Sequence, residues 1–366
     1  MSIACDVLVV GAGPAGLSAA LLLSKHGFNP VIIENNNHGG PDHLKYDITE
    51  GNRLHKILDK LGIKPHKISN QSEWISPNNR FLLSSEIEDF YFKRGPENDS
   101  LESMLTGTLQ NRGVDVLFKS KVQPLKLKDG KIKTIKISGE KEKREIKPDF
   151  IIVADGPESN MRKQLHLTTK KLATFQGYGI VVKTLKKDVI PHARIYFDEN
   201  IAPGGYIYSG SVGQDTFFCV VTDKLCSKNI SLEKKLAYFL KKKIDWKYTI
   251  KNYFSGVGVS GLQQTVVGNA LFVGGAALFY DPFLGYGLNY AIESANVAAD
   301  AIVKGDLQIY KEYSKGIQNN LKNMFVARKI WRKTDNEFYD KLINAFNEKY
   351  DGNDKQINQI LALFVD

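Results

Sequence analysis

Asp6-Val7-Leu8-Val9-Val10-Gly11-Ala12-Gly13-Pro14-Ala15-Gly16 stands near the start of the chain. An apolar, helix-like stretch follows, and then Val31-Ile32-Ile33-Glu34. The order is strand, glycine turn, helix, second strand, acid. Gly11 allows a sharp turn off the strand, Gly13 has no side chain to obstruct a pyrophosphate, and Gly16 lets the helix lie close on the sheet. Ala12, Pro14 and Ala15 complete a small-residue cradle. The helix N-terminus offers free N–H groups and a positive dipole end to phosphates. Glu34 falls where a carboxylate accepts hydrogen bonds from a ribose. A lone Gly-x-Gly-x-x-Gly says little. Here it follows a strand, opens a helix and has its acid about 20 residues on, the context a dinucleotide site requires.

The chain of 366 residues is long enough for one large or two medium domains. With 42% hydrophobic and 25% charged residues it is composed like a soluble globular protein. No apolar run approaches the ~20 residues that span a bilayer. The first strand begins so early that no signal peptide is expected. Cys5, Cys219 and Cys226 have no metal-ligand spacing, which points to a reducing, cytoplasmic setting and to no metal site. His38, His43, His55 and His66 read as loop residues. Much of the net charge of +10 sits in residues 119–147, where Lys alternates with apolar residues. That pattern suits a β-meander with a solvated face, or a basic surface toward anionic lipid headgroups. No nucleic-acid motif accompanies it, so no nucleic-acid partner is expected.

Residues 35–52 are rich in Gly, Asn and Asp and read as a loop. Periodicity predicts helices over 53–61, 100–112, 232–243 and 287–303, and a helical region after 307. Strand alternation marks 67–92, with a turn at Pro77-Asn78-Asn79, and 176–221. Short buried strands end at Asp155-Gly156 and at Gly274. The expected fold is α/β: a discontinuous, Rossmann-like nucleotide domain (1–60, 95–165, 262–304), an inserted antiparallel-sheet substrate domain (61–94, 166–261) and a helical C-terminal region (305–366).

Three segments together carry a family resemblance: the first glycine motif with Glu34, Ile152-Val153-Ala154-Asp155-Gly156, and Leu271-Phe272-Val273-Gly274-Gly275-Ala276-Ala277 continued by Asp281-Pro282-Phe283-Leu284-Gly285-Tyr286-Gly287-Leu288-Asn289. They resemble the FAD-binding proteins of the para-hydroxybenzoate hydroxylase type. The stretch Tyr196-Phe197-Asp198-Glu199-Asn200-Ile201-Ala202-Pro203-Gly204-Gly205-Tyr206 narrows the resemblance to the geranylgeranyl reductase family, including archaeal digeranylgeranylglycerophospholipid reductases. The resemblance implies an extended FAD with its pyrophosphate at Gly11–Gly16 and its ribose at Glu34. Asp155, Gly156, Gly274, Gly275, Pro282, Gly285, Gly287, Leu288 and Asn289 would complete the site, and Arg94 matches the family's arginine near the cofactor. It further implies saturation of isoprenoid double bonds by hydride from reduced flavin. An external donor, NAD(P)H or ferredoxin, would supply electrons, since Gly256–Gly261 mimics a second glycine motif outside any βαβ unit. Tyr196, Phe197, Tyr206, Tyr208, Phe217 and Phe218 are candidates for an aromatic substrate pocket. A peripheral position on an anionic membrane surface would bring the lipid to it, with 324–333 either against the surface or capping the substrate domain.

Three departures mark this chain. Gly275 stands where the family has Asp. Ile48 precedes Thr49-Glu50-Gly51 where many reductases carry a cysteine. Ile207-Tyr208-Ser209-Gly210 replaces the Trp-x-Phe-Pro element. The alternatives are a flavin monooxygenase of an aromatic or polyprenyl substrate, and a flavin-binding electron carrier.

Overall fold

The computed structural model describes residues 2–3, 5–123, 128–139, 143–353, 356–357 and 360. The lysine-rich stretch 119–147 therefore lies partly outside the described residues.

Val7–Val10 is buried on both faces, as a central strand flanked by parallel neighbours must be. It pairs with Pro30–Ile33 on one side and Phe150–Val153 on the other, Val7 opposite Pro30 and Phe150. Ala270–Phe272 and Asp115–Leu117 extend this parallel sheet, and Val266–Val267 closes one edge antiparallel. Helices Pro14–Lys25, Leu101–Asn111 and Leu288–Val303 pack with it. Strands from three separated stretches of the chain, 7–33, 115–153 and 266–272, thus meet in one layer. The lysine-rich meander forms its own small sheet, joined in parallel by Ser2–Ile3.

The second sheet has eight strands, ordered Tyr248–Gln263, Thr169–Thr184, Asp215–Asp223, Tyr206–Val212, Ala193–Tyr196, Lys67–Ile75, Arg80–Arg94 and Lys45–Glu50. Its last strand corrects the expectation of a loop over 35–52. Lys45-Tyr46-Asp47-Ile48-Thr49-Glu50 pairs antiparallel with Arg94 back to Asp89 and so belongs to this sheet. The pairing partner lies far along the chain, and the Gly/Asn/Asp-rich flank hides the alternation. The sheet curls until its edges approach, and Asn252 on one edge strand donates to the Leu44 carbonyl beside the other at 2.7 Å. Gly256–Gly261 is part of strand Tyr248–Gln263 and makes no phosphate turn.

Helix Gln308–Trp331 starts against the first layer, where Tyr310, Ile317 and Leu321 are buried, and ends at Trp331 against the second sheet, on which Asn336–Lys349 also packs. Asp340 accepts from the Ser76 hydroxyl at 2.6 Å and from the Asn78 backbone and side-chain nitrogens at 3.0 and 2.7 Å, fastening the last helix to the 76–79 turn.

Candidate functional site

At the first glycine motif the three glycines behave differently. Gly11 sits at φ +108°, and a side chain there would collide with the Ala154 carbonyl. A Cβ at Gly16 would lie 2.0 Å from the Gly11 oxygen. A Cβ at Gly13 would meet nothing within 4 Å, and its backbone is ordinary extended conformation. Gly11 and Gly16 are therefore required by the fold, whereas Gly13 faces open space at a helix N-terminus.

Helices Pro14–Lys25 and Leu288–Val303 both begin at glycines, Gly13 and Gly287, with no side-chain cap. Ser100, Ser159, Ser231 and Asp335 cap four other helices, while His55–Leu61 and Gln308–Trp331 also start without a side-chain cap. At the two glycine starts the uncapped first-turn N–H groups are left for a ligand. Glu34 ends its strand beside the cradle. Its carboxylate accepts from Ala12 N at 2.7 Å and from Asn36 N at 2.9 Å, one bond per oxygen, which leaves a second lone pair on each for ribose hydroxyls. One Asp155 oxygen accepts from Met161 N at 3.0 Å; the other is buried without a partner, as is the Asn289 side-chain oxygen. Burial pushes the Asp155 carboxyl above its usual range. Orphaned buried acceptors and uncapped helix starts fit a polar dinucleotide. Gly156 at φ +81° also leaves open space.

The third segment folds around Asp281. Its carboxylate accepts from Phe283 N at 2.6 Å and Leu284 N at 2.8 Å, and Asp281 N donates to the Tyr286 carbonyl at 2.8 Å. Pro282 and Gly285 (φ +77°) shape the turn that delivers Gly287, Leu288 and Asn289 to the helix start. Gly274 holds φ +52°, and its N–H donates to Ser294. The absent aspartate at 275 has a steric counterpart: a Cβ there would press on the Pro157 ring at 3.1 Å. Gly275 and Pro157 occupy the space together.

Between this loop and the concave sheet lies a cavity of about 850 Å³. Phe197, Tyr206 and Tyr208 of the expected aromatic set line it, joined by Trp74, Phe175, Tyr280, Tyr286 and Trp331. Tyr206 donates to the Leu284 carbonyl, pinning the loop to the sheet. Two candidates lie elsewhere. Tyr196 pairs with Ile207 and so shares the opposite sheet face, its ring 4.8 Å from Phe239 of helix Leu232–Lys243. Phe218 is on that face too. Phe217 faces the right way but fills the space above Gly210, stacked on Tyr46 at 5.1 Å and covered from the cavity. Alternation identifies the two faces of a strand but not which one meets the ligand.

Arg94 reaches the cavity wall, with its guanidinium held by Asp47 and Glu102 and only 7% exposed. Burial alone would raise the Asp47 carboxyl, yet Lys45 and Arg94 beside it hold it below the ordinary range. Ile48 lines the cavity where the family's loop cysteine would stand. Cys219 also lines it, but burial pushes that thiol up to about 12, so it stays protonated. Trp331 and Met324 turn inward to the cavity, so this part of helix Gln308–Trp331 caps the substrate sheet. Trp74, Tyr280, Tyr286 and Trp331 were missed in the sequence because they converge from separate elements, although Tyr280 and Tyr286 flank or occupy the recognised third segment.

The described geometry agrees with comparison to known proteins. Digeranylgeranylglycerophospholipid reductase of Thermoplasma volcanium is 28% identical, over 94% of this chain and 92% of the relative. The structure of a geranylgeranyl bacteriochlorophyll reductase-like protein from Thermoplasma acidophilum shares the fold, with a TM-score of 0.83 at 22% identity, covering 98% of this chain and 96% of that one. The p-nitrophenol 4-monooxygenase of Pseudomonas putida shares it with a TM-score of 0.75 at 18% identity, over 100% and 98% of the two chains. The FAD binding domain family matches residues 4–304, a span that takes in the glycine cradle, Asp155 and the loop around Asp281; the chain belongs to that family.

Proposed function

We propose that this flavoprotein is a reductase that saturates carbon–carbon double bonds in geranylgeranyl chains of archaeal-type membrane lipids. The observation that carries the reading is the aromatic wall. It starts at Tyr206, bonded to the cofactor-site loop, and passes to Phe197 at 6.5 Å and Trp74 at 6.2 Å, with Phe346 of the last helix buried behind Trp74. A roomy cavity with an aromatic wall suits a prenyl chain better than a small polar ring. The name of the Thermoplasma volcanium relative supports the same substrate class.

Reduced FAD supplies the hydride in such chemistry. The protein's part is to hold and align the chain. Apolar walls exclude water from the alkene, and the N-terminus of helix Leu288–Val303 favours negative charge beside it. Electrons come from an external donor, NAD(P)H or ferredoxin, a reading supported by the single βαβ glycine fingerprint among the described residues.

Product mass tests the reading. Anaerobic protein with dithionite and a digeranylgeranyl lipid is expected to add two hydrogens per double bond. Addition of oxygen, and only in air, would instead identify a monooxygenase.

The lipid enters from a membrane surface. No helix among the described residues is long and apolar enough to cross a bilayer. Ile87 and Val257 line the cavity yet are 38% and 52% exposed, placing aliphatic side chains at its openings. With a net charge of +10, the protein is expected to float with anionic liposomes at low salt and to be released by high salt. Failure to float with anionic liposomes at low salt would remove the membrane reading.

A further inference from the structure

Saturating an alkene takes a proton as well as a hydride. Leu83, Ser85, Ile87 and Asp89 are alternate residues of strand Arg80–Arg94, and all four line the cavity. Three of them are apolar or neutral; Asp89 is an acid. Its carboxylate has no hydrogen-bond donor or ion-pair partner among the described residues. Glu50 stands directly across from it in the strand register and also lines the cavity. Tyr286, from the cofactor-site loop, lies within electrostatic reach of both carboxylates, and Tyr91 of the same strand lies within reach of Asp89. Beyond Glu50 come Arg53 of the following turn and Glu293 of helix Leu288–Val303. An acid with no partner among the described residues thus lines the cavity beside the loop proposed to hold the cofactor.

We propose that Asp89 is the proton donor for the double bond that is reduced. The inference rests on the reductase reading above. Burial first, and then the charge of Glu50, push the Asp89 carboxyl up to about 7, so much of it is protonated at neutral pH. In the step, one alkene carbon takes the hydride that the reduced cofactor supplies. The π electron pair forms the second C–H bond with the Asp89 proton, and the carboxyl O–H bond breaks. The alkene gains two electrons and the cofactor loses two. The Asp89 carboxylate regains its proton from water at the cavity opening, where Glu50 and Arg53 are exposed.

The test is Asp89→Asn in the FAD-loaded protein. Flavin content and visible spectrum are expected to match the wild type. Reoxidation of the dithionite-reduced protein by a geranylgeranyl lipid, without oxygen, is expected to slow about 100-fold or more. The wild-type rate should fall as pH rises past about 7, while the residual rate of the variant stays flat. Asp89→Glu should keep part of the rate with a displaced profile. Infrared titration gives a readout apart from turnover: a protonated-carboxyl band at neutral pH in the wild type, missing in Asp89→Asn. A variant as fast as the wild type overturns the assignment. So does an equal loss beside a wild-type rate that is flat from about pH 5 to about pH 9. If the wild type itself leaves the lipid unreduced, the reductase reading fails; an unchanged variant beside an active wild type removes the role of Asp89 alone.

Discussion

Gly13→Asp is expected to fold as the wild type does and to purify without flavin. The backbone at Gly13 is ordinary, and a new side chain there enters empty space, so the fold has no reason to resist it. That space is where the proposed site puts the pyrophosphate. A carboxylate facing phosphates costs several kcal/mol, and even about 3 kcal/mol weakens binding ~100-fold. Absorbance of the purified protein and calorimetric titration with FAD measure the loss, and circular dichroism confirms the fold. Gly16→Ala supplies the contrast. Its Cβ would overlap the Gly11 carbonyl, so that variant should lose stability as well as flavin. A fully yellow Gly13→Asp protein would place the dinucleotide elsewhere.

Asp223→Ala is expected to be the most destabilising single truncation in the substrate domain. Asp223 is fully buried and accepts from Arg328 at 3.0 Å and Arg332 at 2.7 Å. Arg328 is itself buried and also donates to the Phe283 and Gly204 carbonyls, with its guanidinium 4.8 Å from the Phe175 ring. Removing the carboxylate strands buried positive charge, at a cost of about 3–5 kcal/mol, although the partly exposed Arg332 can turn to water. Urea unfolding measures it. Because Arg328 bridges helix Gln308–Trp331 to Phe283, the variant should also hold flavin less tightly. A loss below about 1 kcal/mol would mean that the two arginines find other partners.

What could be read from the chain follows from how local its signals are. The glycine cradle, its helix and Glu34 are contiguous, and helix Leu232–Lys243 has the bounds its periodicity predicts. The buried strands before Asp155 and Gly274 are legible as apolar runs; Phe150–Val153 falls next to Val7–Val10, and Ala270–Phe272 next to Phe150–Val153, all parallel. Strand Lys45–Glu50 was not legible, because only its pairing with Asp89–Arg94 makes it a strand. Tyr196 and Phe197 are neighbours with opposite fates, since one turns to helix Leu232–Lys243 and the other to the cavity. Trp331 sits among basic residues and reads as surface, yet it is buried against Phe197 and Phe283. Asp89 gives no signal at all in sequence. An acid on an alternating strand belongs by default to the solvent face, and the curl of the sheet is what turns this one inward.

The central claim is that a prenyl double bond oxidises this protein's reduced flavin. Dithionite-bleached protein, freed of excess reductant and mixed without oxygen with a geranylgeranylated glycerophospholipid, tests it in one absorbance trace. The account predicts that the yellow flavin spectrum returns, one flavin for each double bond saturated, and does not return with the fully saturated lipid. Flavin that stays bleached with both lipids, and regains colour only when air is admitted, would contradict it.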